Sequence, residues 1–451
     1  MANARSAGSK ALNRHRSWGA CLGLGLFLGG ATCGTETPPT EVPETTLTPV
    51  ENTALPAFQP TGPLTYVGKV KNLLTGQAPT DEEVAAVTRD PAMLLNVEPN
   101  NNRFDKAKVF DAVGRIDKLV NEQVNEILHS QTFQQLESTW RGLEDMTANL
   151  KFASNIGVDI LDVSKEELYE DFDNNSSDIF GCALFDKVYV AEYDQYGGSP
   201  FGVIIGDYEF QHTPRDLFWL RSMGKVANAS HAPFVAAVHP QFYGCQTAEE
   251  VEAIKNLEGL LNHPKYGAWN TFRDSDEACY IGLTFPRFIL RKPWHPETNP
   301  VPNMNFKEEA NGDSTKYLWG NAAWLFARNC ARSFAQSGWC QYIRGPKGGG
   351  IITGLPVDTY NIRGQEEMKV PVEITIPDYR EFEFAKCGFT PLVYRKSTAD
   401  ATFFSVQSVK LPRKLKDPKD AENAQLVCNL SYTLSITRIA HYVKSIMRDN
   451  I

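Results

Sequence analysis

Two histidines are the side chains in this sequence that most directly suggest catalysis. His231 and His239 flank the run HAPFVAAVHP, whose unbroken apolar character predicts a buried strand. A hydrolase would need one of these histidines beside a nucleophile. The sequence contains no GxSxG motif and no Ser or Cys at a spacing typical of a catalytic triad. We therefore predict buried or surface-lining histidines and no catalytic residue, with a hydrolase as an alternative.

Metal binding is the second chemistry that the residue types suggest. Asp274, Asp276 and Glu277 would supply oxygen ligands, but they are unevenly spaced at a predicted turn. A solvated loop with salt bridges to Arg273 or Arg287 explains them better. The nine cysteines are scattered, without a CxxC pair or a histidine spacing typical of zinc. We predict reduced, buried thiols, and neither a metal nor a cofactor.

The glycine-rich stretch at residues 345–354, GPKGGGIITG, is a candidate phosphate-binding loop. A P-loop requires GxxxxGK[ST] followed directly by a helix. Here Lys347 precedes the glycines, and Ile351 and Ile352 lead into an extended segment. The pattern therefore predicts a flexible turn without nucleotide binding.

The composition of the chain is that of a globular protein. Its 451 residues are 42% hydrophobic, enough for a sizeable core in two or more lobes. The net charge is −9, and the only basic run is the short stretch from Lys410 to Lys419. Nucleic-acid binding needs cations that neutralise phosphates, so it is disfavoured.

We expect the stretch LFDKVYVAEYDQYGGSPFGVIIGDYEF to form the centre of the fold, around which the other elements are arranged. Val188–Tyr193 and Phe201–Ile205 have strand-like composition, and the turn residues GGSP lie between them, which predicts a hairpin or tight loop. The second run is apolar without alternation, as expected of a strand covered on both faces. We expect this strand to stop at Gly206, where the acidic Asp207 follows.

Helical periodicity surrounds this centre. Two successive helices are predicted after residue 104, and Trp140 of the second is expected to pack in the core. Strands and helices then alternate, which predicts a mixed α/β (α+β) fold with mixed β-sheets flanked by helices and an N-terminal helical segment. The further predictions are strands at 156–163, 370–376, GFTPLVY and FFSVQSV, and helices at 165–172, 216–229, 380–385 and in TRIAHYVKSIMRDNI, with Ile439, Val443 and Ile446 on one face of the last.

The N-terminal residues differ in character from the rest. Residues 1–33 combine basic residues, a short apolar run and Cys33, the layout of a secretory or lipoprotein signal. Residues 34–65 are rich in Thr, Pro and Glu and predict a disordered linker, and residues 66–103 predict a short helical segment. One alternative is therefore an envelope lipoprotein, anchored through Cys33, whose globular part is a binding module.

Several strings carry a family resemblance. They are GGSPFGVIIGDYEF, ILHSQTFQQLESTWRGL, WNTFRDSDEACYIGLTFPRFIL, LWGNAAW and SGWCQYIRG. They resemble segments of the large subunit of the contractile sheath of type VI secretion systems, the TssC or VipB family. Asp276 and Glu277 reverse the usual order of the two acids, and Cys279 stands where the family commonly has Arg. The resemblance covers residues 104–451, and we expect this domain to lack the family's usual C-terminal lobe.

The resemblance implies a structural role without an active site. A sheath subunit of this kind pairs with a small sheath subunit of the TssB or VipA type and polymerises with copies of itself around an inner tube protein on a baseplate. The subunits interlock by trading strands, and contraction drives effector delivery. An AAA+ unfoldase acts on the assembled sheath, mainly through the small subunit. The implied location is cytoplasmic, and a degenerate relative that does not assemble is a further alternative.

Overall fold

The computed structural model describes Leu24–Gly30 as a strand and residues 106–450 except 153–154 and 303. The remainder of the signal-like segment 1–33, the linker 34–65 and the helices predicted within 66–103 lie outside the described residues. The described chain divides into two compact units. The larger contains Leu24–Gly30 with residues 128–293 and 309–450, and the smaller contains residues 106–127 and 294–308.

A mixed β-sheet forms the centre of the larger unit. The strands of the described chain are β1 (Leu24–Gly30), β2 (Ile156–Asp162), β3 (Phe201–Phe210), β4 (Phe234–Val238), β5 (Ile281–Phe285), β6 (Phe288–Ile289), β7 (Trp319–Gly320), β8 (Ile351–Ile352), β9 (Asp358–Ile362), β10 (Gln365–Lys369), β11 (Thr390–Tyr394) and β12 (Ala401–Phe403). Eight of them form one sheet in the order β2-β1-β3-β4-β5-β11-β12-β8. The middle strands β3, β4, β5 and β11 run parallel, and the outer pairings are antiparallel. Separate antiparallel pairs join β6 to β7 and β9 to β10.

Helices cover the sheet and complete a mixed α/β architecture, which confirms the predicted fold class. Among the described residues, the α-helices of five residues or more in the larger unit are α2 (Gln131–Ala148), α3 (Lys165–Asn174), α4 (Pro214–Ser230), α5 (Ala248–Ala253), α6 (Leu257–Leu261), α7 (Gly267–Asp274), α8 (Ala322–Ser337), α9 (Asp378–Lys386), α10 (Pro418–Val427) and α11 (Leu430–Asp449). Helix α1 (Lys106–Leu128) belongs to the smaller unit apart from its last residue. One apolar core contains residues of α3, α4 and α7, and a second contains residues of α2, α8 and α11.

Strand β3 separates these two cores. Ile204 belongs to the first core, whereas Val203 and Ile205 belong to the second. A strand that is covered on both faces needs apolar residues at successive positions, so this prediction is confirmed. The strand does not stop at Gly206 as predicted, but continues to Phe210. Gly206 is required inside it because a Cβ there would lie 2.5 Å from the ring of Phe234.

Of the two alternatives predicted before β3, the hairpin is wrong, whereas a tight turn is present, in which the N–H of Gly198 donates to the carbonyl of Gln195. Residues Asp186–Asp194 form a π-helix, and the N–H of Gln195 donates to the carbonyl of Val190, five residues earlier. Val188 and Tyr193 are therefore both buried on one side of a wide turn. These two residues are five positions apart, the same separation as the hydrogen-bonded residues of a π-helix. In an alternating strand, residues five apart would point to opposite faces.

Strand β1 lies between β2 and β3 and is antiparallel to both. Leu28 is opposite Val158 on one side and Val203 on the other. The apolar run that suggested a signal is thus a strand of the sheet in this structure. That residues 1–33 act as a secretory signal stays a prediction.

The helices predicted at 165–172, 216–229 and 380–385 are present with ends within two residues of the prediction, whereas the C-terminal helix begins at Leu430, seven residues before its predicted start. The acidic helix predicted at 165–172 is α3, and Ser164 and Glu167 form a capping box at its start. Thr213 caps α4, and Asn321 caps α8. The helix α8 ends at Gly338, whose φ of 75° lies in the left-handed region that glycine adopts without strain.

Helix α2 faces the core differently from the prediction. Trp140 is 57% exposed, whereas Thr139, Leu143 and Met146 are buried. The reason is a close approach at Gly142, where a Cβ would lie 2.5 Å from Nε1 of Trp324 in α8. Trp324 therefore occupies the position against α2 that periodicity had suggested for Trp140.

Two strands predicted in the C-terminal half, at residues 370–376 and in FFSVQSV, are absent or much shorter than predicted. Residues 370–376 form no regular strand, although Val372, Ile374 and Ile376 are buried alternately. Pro371 and Pro377 lack the N–H that a strand ladder requires. The regular strand in this region is β10, which precedes residue 370 and pairs with β9. Of the run FFSVQSV only the first residue belongs to β12; its later valines are buried in irregular backbone.

Candidate functional site

Four polar side chains meet beyond the carboxyl ends of the parallel strands. Open α/β sheets commonly bind ligands at this edge. Glu209 lies near the end of β3, His239 directly follows β4, and Arg287 follows β5. Glu373 comes from the segment after β10. Arg287 binds Glu373 through two nitrogens, Nη2 at 2.5 Å and Nε at 3.0 Å, and its Nη1 lies 3.7 Å from Oε1 of Glu209.

The electrostatics of this cluster are those of an ion-pair network in which one guanidinium faces two carboxylates. Burial disfavours the charge of Arg287, but the carboxylates of Glu209 and Glu373 outweigh it and raise the pKa of the guanidinium. Each carboxylate faces a fixed cation and is not available as a general base. Sequence reasoning missed this network, because its members are far apart in the chain and share no motif.

His239 belongs to the network without acquiring a catalytic arrangement. Its Nε2 lies 3.9 Å from Glu209, and its Nδ1 accepts the N–H of Gln241 at 3.1 Å. Burial lowers the pKa of the imidazole, and Glu209 only partly opposes it. In the described part of the chain, no Ser, Thr or Cys side chain hydrogen-bonds to this ring. A general base therefore has no nucleophile to activate here.

His231 lies at the other end of β4 and ends helix α4. Its φ of 55° is left-handed, and its Nδ1 lies 3.2 Å from the carbonyl of Ala229. The ring packs near the rings of Tyr193, Tyr280 and His441. The structure does not bring His231 and His239 together, and each has a local structural role.

The acidic residues at 274–277 do not converge on a common point. Asp276 forms salt bridges at 3.1 Å with both Lys410 and Arg413. The predicted salt-bridge partners were wrong: Arg273 donates to the carbonyls of Val409 and Lys386 instead. Arg287 binds the carboxylates described above. Hydrogen bonding to Lys410 lowers the pKa of Asp276. The carboxylate is exposed and is paired with cations of its own chain. Within the described ranges, no three His, Cys, Asp or Glu side chains form a group able to hold a metal.

The glycine-rich stretch leads into strand β8, not into a helix. Gly349 has a φ of 86°, and a Cβ there would overlap the carbonyl oxygen of Tyr342. The N–H of Gly345 donates to the carbonyl of Phe403, and the N–H of Phe403 donates to Gly350. The glycines therefore allow a tight turn to pack against β12, and these N–H groups already have partners within the chain.

Asp207 is a polar residue of β3 that no sequence pattern placed inside the fold. Oδ2 accepts the hydroxyl of Thr139 from α2 at 2.6 Å, and Oδ1 accepts Nε1 of Trp324 from α8 at 3.2 Å. No cation within ion-pair distance neutralises it in the described chain. Desolvation by the surrounding protein raises the pKa of Asp207 to about 6. This carboxyl group connects the central strand to two helices.

Helix α11 has the reverse of the usual amphipathic arrangement. Its side towards the body of the larger unit is largely polar, with Thr433, Thr437, His441 and Ser445 buried. We call the opposite side the α11 outer face; its members are apolar and each is exposed by 44–65%: Ile436, Ile439, Tyr442, Val443, Ile446 and Met447.

The side chains that suggested chemistry in the sequence are engaged within a mixed α/β fold. At the carboxyl edge one guanidinium faces two carboxylates, and His231 and His239 have local contacts. Among the described residues, no helix combines the length and apolar character that crossing a membrane requires.

Comparison with known proteins identifies the family. A family profile described as EvpB/VC_A0108, tail sheath N-terminal domain, matches residues 111–410. A second, described as EvpB/VC_A0108, tail sheath gpW/gp25-like domain, matches residues 419–451. The chain is also 40% identical over 342 residues to the type VI secretion system sheath protein TssC1 of Pseudomonas aeruginosa, which covers 75% of this chain and 69% of the relative. The chain belongs to the TssC/VipB family of large subunits of the type VI secretion sheath, whose members are structural and not enzymes.

Proposed function

We propose that this chain pairs with a small sheath subunit and polymerises with copies of itself into a contractile tube around an inner tube protein. The observation that carries this proposal is the pair of sheath-family matches, at 111–410 and 419–451, which together span most of the chain. We also propose a cytoplasmic location, a baseplate as the site of assembly, and an AAA+ unfoldase that recycles the sheath mainly through the small subunit.

A contractile sheath needs two packings of the same subunits, separated by a free energy that is released on triggering. Each subunit must move as a body while its own fold stays intact. The Arg287 network supports this requirement, because Arg287, which follows β5, joins the end of β3 at Glu209 to the segment after β10 at Glu373. We infer that contraction rearranges contacts between subunits and leaves the central sheet unchanged.

Linkage between moving subunits would use the edges of the sheet. Strands β2 and β8 are the outer strands of the described sheet, and β8 has only two residues. An edge strand presents unpaired N–H and C=O groups to which another strand can be added. With seven residues, β2 is the longer edge, and we propose that it accepts a strand from a neighbouring subunit.

The proposal is tested by co-expressing the chain with a cognate small sheath subunit, followed by affinity capture and negative-stain electron microscopy. Tubes, or a stable heterodimer at equal stoichiometry, are the expected result. Recovery of the chain alone, in monomeric form, under conditions where both proteins are expressed and folded would overturn it.

A further inference from the structure

Two cysteines of the larger unit meet where the chain folds back along helix α8. Cys330 lies in the second half of α8, and Cys340 lies in the segment that follows the helix. Sγ of Cys340 is 3.7 Å from the carbonyl oxygen of Cys330, and the two thiols are hydrogen-bonded to each other. Both side chains line the same cavity. Thiols in such contact can be joined by a disulfide when an oxidant reaches them.

Hydrogen bonds hold the segment after α8 in place beside Cys330. The hydroxyl of Ser333 donates to the carbonyl of Trp339 at 2.6 Å and accepts the N–H of Tyr342 at 3.0 Å. Cys340 lies between these two anchored residues, so the backbone itself keeps it close to the helix. A disulfide between Cys330 and Cys340 would therefore need little movement of the backbone.

Cys340 has the environment of a reactive thiol. Its side chain is partly exposed, and Arg438 of α11 lines the same cavity. The hydrogen bond from Cys330 lowers the pKa of Cys340, and the charge of Arg438 acts in the same direction, although burial opposes both. Burial raises the pKa of Cys330, which therefore keeps its proton.

The other cysteines of the described chain lack this environment. Burial raises the pKa of Cys182 and of Cys279 to about 11 and that of Cys387 to about 12. It also raises the pKa of Cys245 and of Cys428. The thiolate is the form that reacts with a peroxide, and in the described chain Cys340 is the cysteine whose environment favours it.

We propose that Cys340 and Cys330 form a peroxide-sensitive dithiol, in which Cys340 is oxidised first and Cys330 completes a disulfide. The oxidant is hydrogen peroxide. The cavity beside the two thiols has a volume of about 50 Å³. A water molecule needs roughly 10–15 Å³ of such a volume, so a peroxide molecule fits beside the thiols.

The chemistry balances without a cofactor. The thiolate of Cys340 attacks one peroxide oxygen, the O–O bond breaks and hydroxide leaves, so that Cys340 becomes a sulfenic acid. The sulfur of Cys330 then attacks the sulfenic sulfur. The S–S bond forms, the S–O bond breaks, and the hydroxyl group leaves as water with the proton of Cys330. The two sulfurs are oxidised together by two electrons, and the peroxide is reduced to water.

The disulfide would fix residues 339–343 to α8. This segment carries the partly exposed aromatic rings of Trp339 and Tyr342. In a reducing compartment the bond is transient, because a dithiol reductant restores both thiols by exchange. The pair thus makes the rigidity of this surface segment depend on peroxide.

The test compares cysteines within the reduced, purified full-length chain. Hydrogen peroxide is added, the remaining thiols are blocked with N-ethylmaleimide, and tryptic peptides are measured by mass spectrometry. Trypsin cleaves after Arg332, so the disulfide joins peptide 329–332 to peptide 333–344. We expect this linked product, with Cys340 consumed roughly tenfold faster than Cys279 of the same chain. Cys279 is the internal control, because it is also partly exposed.

Three positions are substituted to separate the roles. Cys330→Ser should abolish the linked product and leave Cys340 as a sulfenic acid that dimedone captures. Cys340→Ser should leave Cys330 reduced, and Cys279→Ser should leave the linked product unchanged. Arg438→Gln should slow the oxidation of Cys340, and Arg438→Lys, which keeps the positive charge, should restore most of the rate.

The comparison within the wild-type chain decides the proposal even where a variant does not fold. Equal consumption of Cys340 and Cys279 would refute it, and so would loss of Cys340 without the linked product. A linked product confined to covalent dimers on a non-reducing gel would also contradict it. In the chain unfolded in urea the two cysteines should react at similar rates, because the fold supplies the difference.

Discussion

Asp207 shows how one residue can make the stability of the fold depend on pH. Its carboxyl group is only partly exposed, and it accepts hydrogen bonds from the side chains of Thr139 and Trp324 without a neutralising cation among the described residues. Its pKa rises from 3.8 to about 6 because the surrounding protein disfavours the charge. The folded state thus binds this proton more tightly than the unfolded state does.

The consequence is a loss of stability with rising pH. Relative to an Asp207→Asn variant, the wild type should be most stable below pH of about 4 and should lose roughly 1–3 kcal/mol as the pH rises through about 6. Urea unfolding of both proteins between pH 4 and 8 measures this difference. Glu422→Gln, at an exposed position of α10, is the control for removing a carboxylate. An equal pH dependence for wild type and Asp207→Asn would contradict the argument.

Gly142 provides a second test at the scale of one residue. Gly142→Ala would place a Cβ 2.5 Å from Trp324, so α2 and α8 must separate, at a cost of roughly 1–3 kcal/mol in unfolding free energy. Gly114→Ala in α1 is the matched control, since no atom lies within 4 Å of the added Cβ. That helical substitution should be neutral or stabilising. Thermal melting of the two variants distinguishes a packing effect from helix propensity, and equal melting shifts would argue against the close approach.

The Arg287 network allows a comparison of two ion pairs. Glu373→Ala removes the bidentate partner of a largely enclosed guanidinium and should cost roughly 2–4 kcal/mol of unfolding free energy. Arg413→Ala breaks the exposed pair with Asp276 and should cost at most about 1 kcal/mol. Denaturant unfolding of both variants measures the contrast. A similar small effect in both would mean that the network does not fix the strand ends.

At the scale of elements, β1 is the part whose removal should have the widest effect. Deleting residues 1–33 would leave β2 and β3 without the strand that both of them pair with. We expect faster amide hydrogen exchange in β2 and along β3, with α4 and β4 much less affected. Hydrogen-exchange mass spectrometry of the full and shortened chains makes this measurement. Unchanged protection of both strands would show that they do not depend on β1.

Sequence patterns predicted the elements that are determined by their own local sequence. The apolar β3 and β4 and the capped α3 and α4 appear where expected, because composition and local capping decide them. The π-helix before β3 was missed, since an alternating run of valines and tyrosines has the composition of a strand. The outward position of Trp140 was missed because Trp324, far away in the chain, decides which side of α2 is buried. The polar network at the carboxyl edge has no local signal either.

The apolar stripe predicted for α11 is present, but periodicity did not predict which way it faces. Ile439, Val443 and Ile446 do share a face, but that face is outward. Periodicity shows that residues lie together and does not show which chain covers them. Only the positions of Arg438, Lys444 and Arg448 reveal the orientation.

At the scale of the whole molecule, the two compact units should differ in local stability. In the smaller unit, α1 is held through the side-chain amides of Asn121 and Asn125, which donate to the carbonyls of Asn305 and Lys307. Its apolar Val113, Ile116 and Val120 are exposed. We expect fast hydrogen exchange along α1 in the free chain and at least tenfold slower exchange in the assembled sheath. Slow exchange in the free chain, equal to that of α4, would contradict this expectation.

The position of β1 also constrains how the protein is made. Leu24–Gly30 leaves the ribosome early, whereas β2, the first of its two partner strands, begins at Ile156, roughly 125 residues later. At typical rates of synthesis this apolar segment has no partner strand for on the order of ten seconds or more. During that interval these apolar residues lack the backbone partners that the finished sheet supplies. Slower elongation before residue 156 would lengthen the time for which the segment is unpaired.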